Sequence, residues 1–267
     1  MAEILHADAI SARLQTKLLG KKVHVFQTID STNDRAMDMA AKGAEEGTLI
    51  IAETQTGGKG RLGRSWFSPP GVNLYLSIIL RPKIVCAQAT MLTLLAGIAV
   101  AQAIRERSGL EAFLKWPNDV LISGQKVAGI LAELVADGQA IKHLIMGIGL
   151  NVNLEASMLP PELAKTATSL KIESGSDFSR LAVLETLVNQ LERWYTIFLE
   201  QGSTPILKEY SQLSQTLGRR VQVAYQDKVL EGEAIGLAAN GGLILREENG
   251  RSVTMLAGDV FHLKRQN

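Results

Sequence analysis

At 267 residues and 46% hydrophobic content, the chain is long enough for one large domain plus a small one, with a real core. Lysine and arginine total 28 against 27 acids, and a net charge of +1 excludes a protein that binds nucleic acid mainly through its overall charge; any positive site must be local. A single cysteine, Cys86, excludes an intramolecular disulfide, and His6, His24, His143 and His262 are too dispersed for a zinc site, so a reducing compartment, the cytoplasm, fits.

The N-terminus carries early acids and no apolar core ahead of a small-residue cleavage site, so it does not read as a secretory signal. Apolar residues recurring from Ile4 to Leu19 predict an amphipathic helix over 4–19, closed by Gly20. "KVHVF" at 22–26 predicts a strand. "DSTNDRAMDMAAKG" has polar cap residues, acids in its first turn and a closing Gly43, the marks of a helix. "TLIIAET" at 48–54 is a strand that runs straight into the glycine-rich segment "GGKGRLGRSWFSP".

"VNLYLSIIL" at 72–80 predicts another strand. The following 86–104, "CAQATMLTLLAGIAVAQAI", is nineteen residues without a charge, the length that spans a bilayer. Six of the nineteen are alanine and four are Gln or Thr, and the segment lies between two polar, motif-rich stretches, so it predicts a buried helix of a globular protein rather than a membrane span. "EAFLKWP" reads as a strand entering a turn. Two β-rich runs about Ser123-Gly124 predict a hairpin, and 142–154 another buried strand. Arg180 to Glu200 and Thr204 to Gln215 predict helices. From Leu217 the texture changes to short alternating strands punctuated by Gly and Asn, which predicts a small β-barrel. The expected class is therefore α+β, with a mixed sheet and helices in a domain over 1–216 and a β-rich domain over 217–267.

The glycine loop is the first segment that points to chemistry. Glycines let backbone N–H groups approach an anion, and arginine offers a planar fork of donors, so Lys59, Arg61 and Arg64 beside such backbone can wrap an anionic ligand. It is not a P-loop: with Gly58-Lys59 as the glycine-lysine pair, the first glycine position holds Glu53 and the position after the lysine holds Gly60. Nothing helix-like follows, which excludes a dinucleotide fingerprint. A plain surface loop is the other reading, but Trp66, Phe67 and Pro69-Pro70 give this loop bulk that packs on something.

The second is "KWPND" at 115–119, where Pro117 fixes a turn after a strand and so holds Lys115 at a strand end. With "STN" at 31–33, "GKGRLGRSWFSP" at 58–69, "KVAGIL" at 126–131 and "GIGLNVN" at 147–153, it resembles the biotin protein ligase family in order and spacing, from about residue 4 to the C-terminus. The resemblance implies a class II aminoacyl-tRNA synthetase-like catalytic domain with an SH3-like C-terminal domain. It also implies a two-step reaction: biotin and ATP, with Mg²⁺, give biotinyl-5′-adenylate and pyrophosphate, and a lysine of a biotin carboxyl carrier protein then takes the biotin. Carried over by motif, Lys115, Arg61 and Arg64 are the catalytic cations facing the carboxylate and α-phosphate. Ser31, Thr32, Asn33, Gln55, Gly58, Lys59, Gly60, Arg61, Lys115, Gly129 and Ile130 contact biotin. Arg61, Arg64, Trp66, Lys115, Asn118, Lys126 and Asn151 contact the nucleotide, with Lys126 also beside the biotin pocket. Asp119 either helps a metal or caps the turn.

Lys59 and Leu62 stand where many members have arginine. About twenty residues precede the first strand, too few for the winged-helix domain of some members, so no operator binding is expected; members are often homodimers through a sheet edge. Taken singly, Ser31-Thr32-Asn33 is more often a helix cap, Lys115 a surface charge, Trp66 and Trp116 packing residues, His143 a plain strand residue, and Gly147 and Gly149 either a close approach or a loosely packed strand. Three rival functions stay open: a lipoate or octanoate ligase on the same fold, a non-catalytic biotin-binding module, and nucleic-acid binding by the basic loop.

Overall fold

The computed structural model describes residues 3–225 and 228–263. A short helix α1 (Ala7–Arg13) leads into β1 (Val23–Ile29), α2 (Thr32–Ala41) and β2 (Leu49–Gln55); a single 3₁₀ turn at Arg61–Gly63 marks the glycine loop. Then come β3 (Leu74–Leu80), α3 (Ala89–Ser108), β4 (Phe113–Lys115), β5 (Asp119–Ile122), β6 (Gln125–Asp137) and β7 (Ala140–Leu150). Three helices, α4 (Leu170–Ser174), α5 (Arg180–Gln201) and α6 (Ser203–Leu213), precede the strands β8 (Arg220–Tyr225), β9 (Lys228–Leu237), β10 (Leu243–Arg246), β11 (Ser252–Met255) and β12 (Asp259–His262).

The first seven strands form one mixed sheet in the order β1-β2-β3-β7-β6-β5-β4, parallel only between β1 and β2. The last five form an antiparallel sheet in the order β11-β10-β9-β8-β12. This is the α+β class II synthetase-like arrangement with its small C-terminal β unit. Apart from a 3₁₀ turn at Cys86–Gln88, the apolar stretch 86–104 lies in α3, which is buried around most of its circumference against the sheet, α5 and α6, so its lack of charge is the signature of a core helix. The helix expected over 4–19 is shorter, ending at Arg13. Glu192 of α5 explains this: its carboxylate accepts the backbone N–H groups of Lys17, Leu18 and Leu19 at 2.5, 2.8 and 2.7 Å, giving them a tertiary partner in place of a helical one.

Alternation along the central strands decides where a ligand can sit. Leu74, Leu76, Ile78, Leu144, Met146, Ile148 and Leu150 face the main core, while Ile50, Ile79 and Ile145 face α2 and pack on Ala36 and Ala40. Along the α2 face β7 then shrinks from Ile145 to Gly147 and Gly149, with Ser77 of β3 opposite Gly147 and Gly129 of β6 opposite Gly149. Small residues at one end of an otherwise apolar face leave a hollow, and the glycine loop folds over it.

A buried ion pair anchors the strand that delivers that loop. Arg180, at the start of α5, donates to both carboxylate oxygens of Glu53 at 2.7 and 3.2 Å, and Glu53 also accepts the Leu5 N–H at 2.9 Å. Both side chains are almost fully buried.

Candidate functional site

Two adjoining cavities lie on this face, and Trp66 and Lys126 line both. The first, of about 50 Å³, is a polar cradle. Ser31 caps α2, accepting from the Asp34 N–H, so the cap reading of "STN" holds for its first residue, while Thr32 and Asn33 turn their side chains into a network. Gln55 Oε1 accepts from the Thr32 N–H at 2.8 Å and from its hydroxyl at 3.1 Å. The Ser77 hydroxyl lies 2.8 Å from Thr32 Oγ1 and 2.6 Å from Asn33 Oδ1, and Asn33 Nδ2 donates to Glu133 at 2.7 Å. Burial on a rigid sheet fixes these groups and makes an unpaired one costly. Lys59, Gly60, Arg61, Asn118, Gly129 and Ile130 also line it.

The glycine loop is pinned at several points. Gly58 accepts the Trp66 N–H at 2.8 Å through its carbonyl, and it sits beneath the loop, since a Cβ there would meet Trp66 O at 2.6 Å. Lys59 pairs with Asp34 of α2. Arg61 Nη1 donates to Asn118 Oδ1 at 2.9 Å, and Asn118 in turn donates to Ile130 O at 3.0 Å, so the KWPND turn holds the arginine. Leu62 adopts the left-handed region at φ 55 and is exposed, a strained position at the loop's apex. Trp66 folds back over the sheet, where its indole lies so close that a Cβ at Gly149 would collide with it. The close-approach reading of Gly149 is the correct one, and Gly147 equally leaves room for the Asn33 amide.

The second cavity, of about 470 Å³, carries Arg64, Lys115, Asp119 and Asn151, with Leu154, Leu159 and Leu163 as an apolar wall. Lys126 pairs with Asp119 at 2.6 Å and lies 5.3 Å from the Trp66 ring. Asp119 is therefore committed to a cation, and the described residues contain no group of three or more His, Cys, Asp or Glu that could hold a metal. Lys115 makes no ion pair among the described residues, and burial pushes its pKa below the ordinary lysine value, as it does for Arg61. An ammonium that is half-buried and unpaired is a group waiting for an anion. Asn151 accepts from Asn73 at 3.2 Å and donates to Thr168 O at 2.9 Å, which fixes it in the cavity wall.

Motif reasoning thus finds residues that the fold gathers, but it divides them differently. Arg61 and Asn118 line the first cavity, whereas Lys115, Arg64 and Asn151 line only the second. Ser77, Glu133 and the C-terminal residues Asp259, Phe261 and His262 were not anticipated. A serine inside the apolar run "LYLSIIL" was a signal for the first; nothing local marks the others. Trp116 is core: it is buried, its N–H donates to Thr216 Oγ1 at 3.1 Å and its indole to Gly241 O at 3.0 Å, joining the KWPND turn to the C-terminal sheet. His143 is a buried residue of β7, as its sequence taken singly predicts.

Fold and site together define a class: a mixed-sheet protein with a hydrogen-bonding cradle beside a cluster of cations, built to bring a polar ligand and an anion side by side. The model of the Biotin/lipoate A/B protein ligase family matches residues 25–151, and that of the Biotin protein ligase C terminal domain matches 216–263. The bifunctional ligase/repressor BirA of Bacillus spizizenii is 36% identical over 246 residues, covering 92% of this chain and 76% of that protein. The biotin–[acetyl-CoA-carboxylase] ligase of Mycobacterium tuberculosis is 35% identical, covering 94% of each. The structure of the biotin protein ligase from Aquifex aeolicus in complex with biotin and ATP superimposes with a TM-score of 0.79 at 31% identity, covering 91% of this chain and 99% of that one. The chain belongs to the biotin protein ligase family.

Proposed function

We propose that this protein is a biotin protein ligase. A biotin carboxylate oxygen attacks the α-phosphorus of ATP, the bond to the β-phosphate oxygen breaks, and biotinyl-5′-adenylate and pyrophosphate result. A lysine amine of a biotin carboxyl carrier protein then attacks the acyl carbon; AMP leaves and the amine proton is lost. The observation that carries this reading is the meeting of the two cavities at Trp66, with the cradle on one side and Lys115 and Arg64 on the other.

Neither step needs a protein nucleophile. The enzyme must hold two anions in contact, neutralise their charge and keep water away. Ser31, Thr32, Asn33, Gln55 and the loop from Gly58 to Arg61 would hold the bicyclic end of biotin over Gly129 and Ile130. Lys115, Arg61 and Arg64 would take the carboxylate and α-phosphate oxygens, with Asn118, Lys126 and Asn151 around the nucleotide and Trp66 closing over the adenylate. The cradle's polarity favours biotin over lipoate or octanoate, whose far ends offer no hydrogen-bonding group and would leave buried donors and acceptors unpaired.

Among the described residues no cluster of acids, histidines or cysteines fits a resident metal ion, so magnesium enters as part of the substrate, MgATP. A homodimer through an edge of the seven-stranded sheet and a cytoplasmic location, where ATP and the free Cys86 belong, complete the proposal; DNA binding is no part of it. Incubation with biotin, MgATP and an unmodified carrier protein tests the reading by mass spectrometry. One biotinyl group on a single carrier lysine is expected; a carrier left unmodified while free adenylate accumulates would contradict the transfer step.

A further inference from the structure

The C-terminal sheet reaches into the site through one corner, Gly258 and Asp259 at the start of β12. Asp259 pairs with Arg64, and the Gly258 carbonyl accepts from Arg61 Nη1 at 3.3 Å. Two arginines three positions apart on the glycine loop thus meet two consecutive residues of the other sheet. That corner is rigid: Asp259 pairs with Ala224 of β8, and Gly258 turns at φ 146 where a Cβ would meet Val223 Cγ1 at 2.6 Å. The Asp259 carboxylate is fixed, while Arg64 hangs from the loop with its side chain 64% exposed against 19% for Asp259.

We propose that Asp259 is a stand-in for the nucleotide phosphate, a latch that holds Arg64 and the glycine loop until ATP displaces it. The proposal rests on the ligase reading given above. Arg64 lines the cavity that also holds the unpaired Lys115; the acid that lines it, Asp119, is committed to Lys126, and Asp259 reaches it through Arg64. Asp259 is therefore the carboxylate that competes with an incoming phosphate for this arginine. An exposed pair of this kind is weak enough for a multiply charged phosphate to displace. The loop keeps an anionic partner throughout the cycle, first carboxylate and then phosphate, so Arg64 is positioned before substrate arrives and Asp259 can recapture it as pyrophosphate leaves.

The test compares Asp259→Asn and Asp259→Glu with the wild type in the full chain, by biotin-dependent exchange of labelled pyrophosphate into ATP and by limited trypsin digestion without ligands. Removing the competing charge is expected to lower the KM for MgATP by about two- to fivefold, the range an exposed ion pair allows, with the KM for biotin unchanged. Cleavage after Arg61 and Arg64 in the ligand-free protein is expected to speed up in Asp259→Asn, to be restored in Asp259→Glu, and to be equal in all three once biotin and MgATP are present. A raised KM for MgATP in Asp259→Asn, or unchanged KM and cleavage, would overturn the proposal. Wild-type protein that exchanges with no acid would sink the ligase reading, and the ligand-free digestion would still decide the latch.

Discussion

Adding one methyl group at Gly149 isolates what closure of the glycine loop over the sheet contributes. A Cβ there collides with Trp66 Cε2 and Nε1 and lies 2.8 Å from Cζ2, so the indole must move. Overpacking of this kind costs ~1–3 kcal/mol in a core that cannot yield. Trp66, however, belongs to a loop, so in Gly149→Ala the loop swings out and the cost falls on the closed state alone. At about 1.4 kcal/mol per tenfold, closure weakens by about 5- to 150-fold. Biotin-dependent pyrophosphate exchange is expected to show KM values for biotin and ATP raised within that range, and the adenylate is expected to escape faster, labelling bystander lysines. The melting temperature changes by no more than a degree or two. In a Trp66→Ala background the same glycine substitution has nothing to strike, so the double-mutant cycle returns a coupling of ~1–3 kcal/mol. Wild-type KM values in Gly149→Ala, or effects that simply add in the double mutant, would refute the reasoning.

Three further outcomes follow from named contacts. Lys115→Met removes the charge proposed to face the transition state and is expected to slow pyrophosphate exchange by about 10²- to 10³-fold, with far-UV dichroism unchanged; a loss below tenfold contradicts the role. Arg180→Leu leaves Glu53 buried without its partner, and urea unfolding is expected to show ~3–5 kcal/mol less stability, unlike the small loss of a surface pair such as Lys22–Glu45. Burial, with Lys115 and Arg219 nearby, pushes the His262 pKa down to about 4 from 6.5. The folded protein holds it neutral while the unfolded chain takes a proton, so its stabilisation is complete above pH 6.5 and lost as pH falls toward 4. On the order of 2 kcal/mol is at stake, discounted for partial exposure. The wild type should lose more stability than His262→Gln between pH 7 and pH 4.5 in thermal melts, and parallel pH profiles would contradict this.

How much of this was written in the sequence depends on the range of the interactions. "TLIIAET" and "LYLSIIL" read as strands because burial on both faces fills them with apolar residues, and the glycine loop followed because no helix or strand tolerates "GGKGRLG". The cations Arg61, Arg64 and Lys115 were legible as residue types whose chemistry suits anions. What stayed hidden was set by distant partners. Nothing near Leu14 announces that Glu192 will take the N–H groups of Lys17 to Leu19 and end the helix early. Nothing near Arg64 announces Asp259, and only the registers of β3, β6 and β7 reveal that Ser77, Gly147, Gly149 and Gly129 share the hollow under Trp66. Motif order singled out residues that the fold gathers, but their division between two cavities belongs to the sheet.

The most direct measurement of the central claim is acid-dependent exchange of labelled pyrophosphate into ATP with Mg²⁺, run in parallel with biotin, lipoate and octanoate. Exchange is expected with biotin, and none above background with the other two acids. Exchange driven by lipoate or octanoate would contradict the cradle's assignment, and no exchange with any acid would contradict the enzyme itself.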